Sequence, residues 1–330
     1  DLARFKQGDV DYQLFSIWCD GEKVNPYAWA MREMDTIDAV AARNPDKMVV
    51  AKNWKEIQKA LKENKFIAQY GVEGGHMIED NIDRLDTFYN RGVRYMTLTW
   101  NNSTDWATSA YDETFTPDLK HKGLTDFGKQ IITKMNQLGM IADISHVSEA
   151  TMHDVLDKSK APVLFTHSNA RAVTPHPRNV PDSVLQRLPQ NGGVVMVTFV
   201  PGFTSAERRQ WEYQRSAVAG RAKTEFSGNP AGEKATVDAW IVANPQPKAT
   251  LAQVADHIDH IRKVAGIDHI GIGGDFGGVD ELPVGLENVS TYPALFAELV
   301  RRGYSKADLA KIAQGNVLRV MHAVEKAARK

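Results

Sequence analysis

Short apolar runs alternate with amphipathic stretches along nearly the whole chain, and this order constrains the fold more than any other feature. The runs are YQLFSIW (12–18), FIAQYGV (66–72), RYMTLTW (94–100), MIADIS (140–145), PVLFTH (162–167), GVVMVTF (193–199) and HIGIGGD (269–275). Each is short and rich in β-branched or aromatic residues, so each predicts a strand. Residues 25–42, 78–92, 125–139, 148–159, 250–266 and 290–303 carry helical periodicity, with Ser, Thr or Asp at several starts and Gly at several ends. Strands alternating with helices in this βαβα order predict a parallel sheet with helices outside it. A chain of 330 residues suits a (β/α)8 TIM-like barrel read as one domain over 1–330. Seven strands are found where such a barrel has eight. The first run begins almost at the start of the sequence, so the eighth strand, strand one of the barrel, is expected upstream of Asp1. The polar segment 201–250, with Trp211, Tyr213 and Trp240, reads as an irregular excursion inserted into the barrel.

Charge and cysteine content narrow the function classes. A net charge of −1 supplies no global field for nucleic acid or an anionic membrane. The single cysteine, Cys19, excludes an intrachain disulfide and a cysteine-based zinc cluster. No apolar run approaches the roughly 18 residues that span a bilayer, so no transmembrane segment is expected. The opening DLARFKQGDV is charged and unlike a signal peptide. A cytoplasmic protein and a processed periplasmic or secreted one both fit.

In a parallel barrel the chemistry sits at the carboxyl ends of the strands. Four runs end in a residue that ligates a metal or moves a proton: Glu73, His146, His167 and Asp275. Two imidazoles and a carboxylate from separate strand ends suit zinc, which takes nitrogen and oxygen donors and leaves a position open for water. The glycines after Glu73 permit a tight turn and also close backbone approach. His76 reads as an ordinary histidine at a helix start. His257 and Asp259 have ligand-like spacing but lie mid-helix, and read as a solvated face. The run GIGGDFGG lacks the G-x-G-x-x-G spacing, which argues against a dinucleotide site. The proline-bearing loop 167–181 holds Arg171, His176 and Arg178, and an arginine fixed on it could clamp a substrate carboxylate.

The segments GVEGGH, DISHVSEATMHDVL, APVLFTHSNARAV, RNVPD, HIGIGGDFGGV and PVGLENVSTYPALFAELVRRGYS together resemble the membrane dipeptidase (renal dipeptidase) family over nearly the whole chain. The resemblance implies a (β/α)8 barrel with two zinc ions that hydrolyses dipeptides. It implies that Glu73 bridges both metals, that His146 and His167 ligate the second, and that Arg178 binds the substrate's terminal carboxylate. Asp275 resembles the acid that contacts the substrate and the attacking water.

Two departures from the family pattern bear on activity. The family's His-x-Asp pair on strand one is absent from this sequence, which matches the missing eighth strand. Trp100 stands where a histidine usually follows the LTLT run, and an indole N–H donates one hydrogen bond but exchanges no proton. Asn101, Asn102 and His121 are the candidates to replace that histidine, with Trp100 either lining the substrate pocket or packing on Trp106. Gly277 also replaces a common aspartate. A zinc dipeptidase is therefore the leading reading. A catalytically impaired or binding-only member of the same scaffold, and a related amidohydrolase of a biosynthetic pathway, stay open, as does a homodimer.

Overall fold

The computed structural model describes residues 1–328. Among them one sheet contains β1 (Tyr12–Trp18), β2 (Met48–Val50), β3 (Phe66–Glu73), β4 (Val93–Thr97), β5 (Ile141–Asp143), β6 (Leu164–Phe165), β7 (Val194–Val197) and β8 (Ile270–Ile272). All pairings are parallel, in the order β1-β3-β4-β5-β6-β7-β8. The α/β TIM-like barrel expected from the strand–helix alternation is thus present. β1 and β3 fill the runs that announced them, while the strands from β4 onward are shorter than theirs, and the residues left over at the ends of those runs help form the mouth.

The strand β2 has no counterpart among the seven runs. It pairs with Phe66–Ala68 at the start of β3. Phe66 N–H donates to Lys47 O while Ile67 N–H donates to Asp11 O, so β1 and β2 hold opposite edges of β3. The edge shared with β2 passes to β4 at Tyr70, and that ladder carries a register shift at Tyr70/Gly71. Among the described residues no ladder joins β8 to β1. Between these edges lies a cavity of about 220 Å³ walled by residues 8–14, Ile272, Gln314 and Val317.

Local sequence explains the elements. Seven of the eight β3 residues are buried, as expected of a strand covered on both faces. Ser148 caps the helix Glu149–Lys158 through Thr151 N, and Gly139, at φ 80°, ends the helix Asp126–Leu138. The segment 201–250 differs from expectation. It is a helical hairpin, Ala206–Glu225 against Pro230–Ala243, joined by Trp211 and Trp240 with ring centroids 5.5 Å apart. Its second helix buries no residue, so it never develops the apolar stripe that would reveal a helix in the sequence.

The ladder register sets one row across the mouth: Trp18 beside Glu73, Glu73 beside Thr97, and Thr97 beside Asp143. The glycines of GIGGD have a packing role. A Cβ on Gly273 would lie 1.9 Å from Thr166 O, a backbone atom with little freedom to retreat. We expect Gly273→Ala to destabilise the protein by about 1–3 kcal/mol, read from the urea midpoint. An unchanged midpoint would show that Gly273 has more room beside Thr166.

Candidate metal centre and substrate pocket

Glu73 ends β3, and His146 and His167 follow β5 and β6, so three separate segments bring these side chains together. His146 Nε2 lies 3.0 Å from Glu73 Oε1 and 2.9 Å from His167 Nε2, and His167 Nε2 lies 3.2 Å from the same oxygen. Glu73 is nearly buried, and both histidines are buried. The other carboxylate oxygen, Oε2, accepts a hydrogen bond from the Ser16 hydroxyl of β1.

His146 enters the site through a strained turn. Ser145 N–H donates to Asp143 Oδ1, reversing the chain just after β5, and His146 takes a left-handed backbone with φ 66°. Asp275 is also left-handed, at φ 59°. Such conformations are uncommon for non-glycine residues and cost on the order of 1–3 kcal/mol each. The surrounding packing must hold both residues there.

Burial raises the Glu73 carboxyl, but the charges and hydrogen bonds of His167 and His146 outweigh it and hold the group well below its usual value. Burial and the Arg178 charge pull His146 down to about 3. His167 goes the other way: burial lowers it, yet the Glu73 charge and hydrogen bond win and raise it. The two imidazoles are thus pushed in opposite directions, His146 away from its charged form and His167 towards it, beside a carboxyl held towards its ionised form. Asp275 is raised, by burial and by repulsion from Glu73, against the lowering pull of His167.

The three donors fit a metal cation. Tetrahedral zinc with bonds of about 2.0–2.1 Å keeps its donor atoms roughly 3.3 Å apart. The observed separations of 2.9–3.2 Å need to open by only a few tenths of an ångström. This is the one cluster of three or more metal-capable side chains found among the described residues.

The centre opens into a cavity of about 650 Å³, within the ~300–1,000 Å³ typical of small-molecule sites. Arg178, Asp275, Trp100 and Asn101 line it, as do Ser16, Trp18, Tyr95 and Phe203. Trp100 meets Trp18 edge-on at 5.2 Å and His146 at 6.3 Å between ring centroids, so it stands in the pocket wall. The alternative of Trp100 packing on Trp106 is not what the ring contacts describe. Asn102 and His121 do not line the cavity. His121 faces Thr108 Oγ1 and Thr104 O instead.

The two loop arginines part ways. Arg171 binds Glu149 at 2.7 Å and the backbone oxygens of Asn179 and Pro177, which buckles the loop. Arg178 turns inward and is buried, with long hydrogen bonds to Ser168 Oγ (3.5 Å) and His167 O (3.4 Å) and its guanidinium 5.4 Å from the centre of the Phe203 ring. Its Nε has no partner among the described residues. Burial lowers Arg178 to about 10.

His76 stays out of the cluster, with Nε2 3.2 Å from Cys19 O. His257 is not on a solvated face. It is fully buried, accepting from Ala170 N–H and approaching Thr204 O at 3.0 Å, which ties its helix to the pocket loops. It still forms no metal pair, because Asp259 is engaged by Arg302 and Tyr304. Sequence reading missed Ser16, Tyr95 and Trp18. The available signal was parity: Ser16 is the polar residue in an apolar strand and alternates in step with Trp18, beside Glu73.

The chain belongs to the membrane dipeptidase family (peptidase family M19), whose model matches residues 1–330, and is a hydrolase of peptide bonds. Its fold is similar to that of a probable dipeptidase, PvdM, from Pseudomonas aeruginosa. That match has 25% identity and a TM-score of 0.85, covering 99% of this chain and 89% of the other. A metallopeptidase from Rhodobacter sphaeroides, solved with a phosphinate mimic of the dipeptide L-Ala-D-Ala, is similar at 24% identity and a TM-score of 0.77. There 98% of this chain and 90% of the other are covered. The dipeptidase AC, an M19 metallopeptidase, gives 23% identity and a TM-score of 0.80, with 98% and 88% covered.

If the cluster is a metal centre, the 330-residue chain should hold about one zinc ion by elemental analysis, and His167→Ala should lose most of it. Unchanged metal content in the variant would remove His167 from the ligand set.

Proposed function

We propose that this chain is a zinc-dependent dipeptidase acting on dipeptides with a free C-terminal carboxylate. The observation that carries the substrate class is Arg178, a buried guanidinium at the cavity wall. Among the described residues no carboxylate lies within ion-pair distance of it. A buried charge without a partner is costly, and a substrate carboxylate supplies the missing anion with bidentate geometry. Because that clamp lies close to the metal cluster, the carboxylate is held near the scissile bond, which favours dipeptides over long chains.

Glu73, His146 and His167 would hold the metal. When bound, it polarises the scissile carbonyl and makes water nucleophilic near neutral pH. Arg178 orients the substrate by its C-terminus. Asp275, whose carboxyl is raised, is suited to carry a proton to the leaving nitrogen or to accept the substrate ammonium. Ser16 fixes the rotation of the Glu73 carboxylate through Oε2. Trp100 and Trp18 narrow one side of the pocket, and Asn101 is the candidate there to donate to the developing oxyanion.

Two experiments test this reading. Arg178→Lys should lower kcat/KM for dipeptides by roughly ten- to hundredfold, since one charged hydrogen bond is lost. Dipeptide amides should already be poor substrates of the wild type, and equal turnover of free and amidated dipeptides rules out the clamp. The second concerns Trp100. If the pocket lacks a full replacement for the family's histidine, Trp100→His raises kcat, by up to roughly 10²-fold, while Trp100→Phe changes it little. No change in either variant would make Trp100 a packing residue.

A further inference from the structure

We propose that Asp143 is a positioning residue that sets the proton on His167 through Thr166, so that Nε2 is presented as a metal donor. The carboxylate is fully buried at the end of β5 and accepts four hydrogen bonds. Its Oδ1 accepts from Ser145 N–H (3.1 Å) and Thr166 N–H (2.9 Å). Its Oδ2 accepts from the hydroxyls of Thr97 and Thr166, the latter at 2.7 Å. Thr166 Oγ1 also lies 2.9 Å from His167 Nδ1.

A threonine hydroxyl has one proton. A carboxylate oxygen only accepts, so that proton goes to Asp143. Thr166 Oγ1 can then only accept from His167, which places a proton on Nδ1. Against a bound cation the ring is neutral and offers its lone pair on Nε2, the nitrogen facing Glu73 Oε1 and His146 Nε2. An outer partner that fixes a ligand's tautomer typically contributes about 10–100-fold in metal affinity. The same carboxylate shapes the turn before His146 through Ser145 N–H, so one buried group orients both imidazoles. His146 has no such relay: its Nδ1 is buried without a partner among the described residues.

Asp143→Asn makes a directional test. The two backbone N–H groups can only donate, so the amide oxygen must face them and the NH2 group must face the hydroxyls. Thr166 then accepts from the amide and turns its own proton towards His167 Nδ1. The ring shifts to the Nε2–H form, which cannot ligate without losing that proton.

The inference rests on the metal reading above, and its test separates the two. In zinc-loaded protein labelled with 15N-histidine, wild-type His167 should show a protonated Nδ1 beside its ligating Nε2, and Asp143→Asn should lose that Nδ1–H signal. Zinc affinity, from competition with a chromophoric chelator, should fall at least about tenfold in Asp143→Asn and in Thr166→Val, and should be kept in Thr166→Ser. Thr166→Val decides the matter if Asp143→Asn does not fold. A zinc-loaded wild type without a proton on His167 Nδ1, or wild-type zinc affinity in Thr166→Val, overturns the proposal. A wild type that binds no zinc overturns the metal reading, and the ligand role with it.

Discussion

Two imidazole nitrogens and a carboxylate oxygen lie within 3.2 Å of one another in a nearly dry setting, and such a group holds together only around a shared positive charge. Glu73 raises the basicity of His167, while burial and Arg178 lower that of His146. A divalent cation would supply that charge and let the donor atoms move slightly apart. The site is thus arranged around a position that a cation should occupy, and its electrostatics depend on what fills it.

The barrel supplies this arrangement through parallel register. Neighbouring strands place Trp18, Glu73, Thr97 and Asp143 in one row, so residues far apart in sequence share one level of the mouth. The loops beyond the strands add the remainder. Arg171 is tied to Glu149 and to the backbone of its own loop, and His257 ties the helix Leu251–Val264 to Ala170 and Thr204. These structural contacts leave Arg178 as the guanidinium turned inward.

The alternation of apolar runs made the parallel barrel legible, and the polar residue ending each run made Glu73, His146, His167 and Asp275 stand out. What stayed hidden depended on long-range partners. Nothing local distinguishes Arg178 from Arg171, because Glu149, from another element, decides which one faces outward. His257 looked solvated since its burial comes from two distant loops. Met48–Val50 is too short to register as a strand, and the helix Pro230–Ala243 lacks a buried face to give it a period. Ser16 sat within an apolar strand, and only its pairing with Glu73 gives it meaning.

The left-handed backbone at His146 carries an evolutionary consequence. Glycine would relax that turn, since an L-residue there costs roughly 1–2 kcal/mol, yet glycine has no imidazole to offer. Asp275 faces the same conflict at φ 59°. With the roles proposed for them, selection for thermal robustness and selection for reactivity pull in opposite directions at these two positions. A laboratory search for hardier variants that ignored turnover would be drawn to replace them, and would reward sequences that had given up the chemistry.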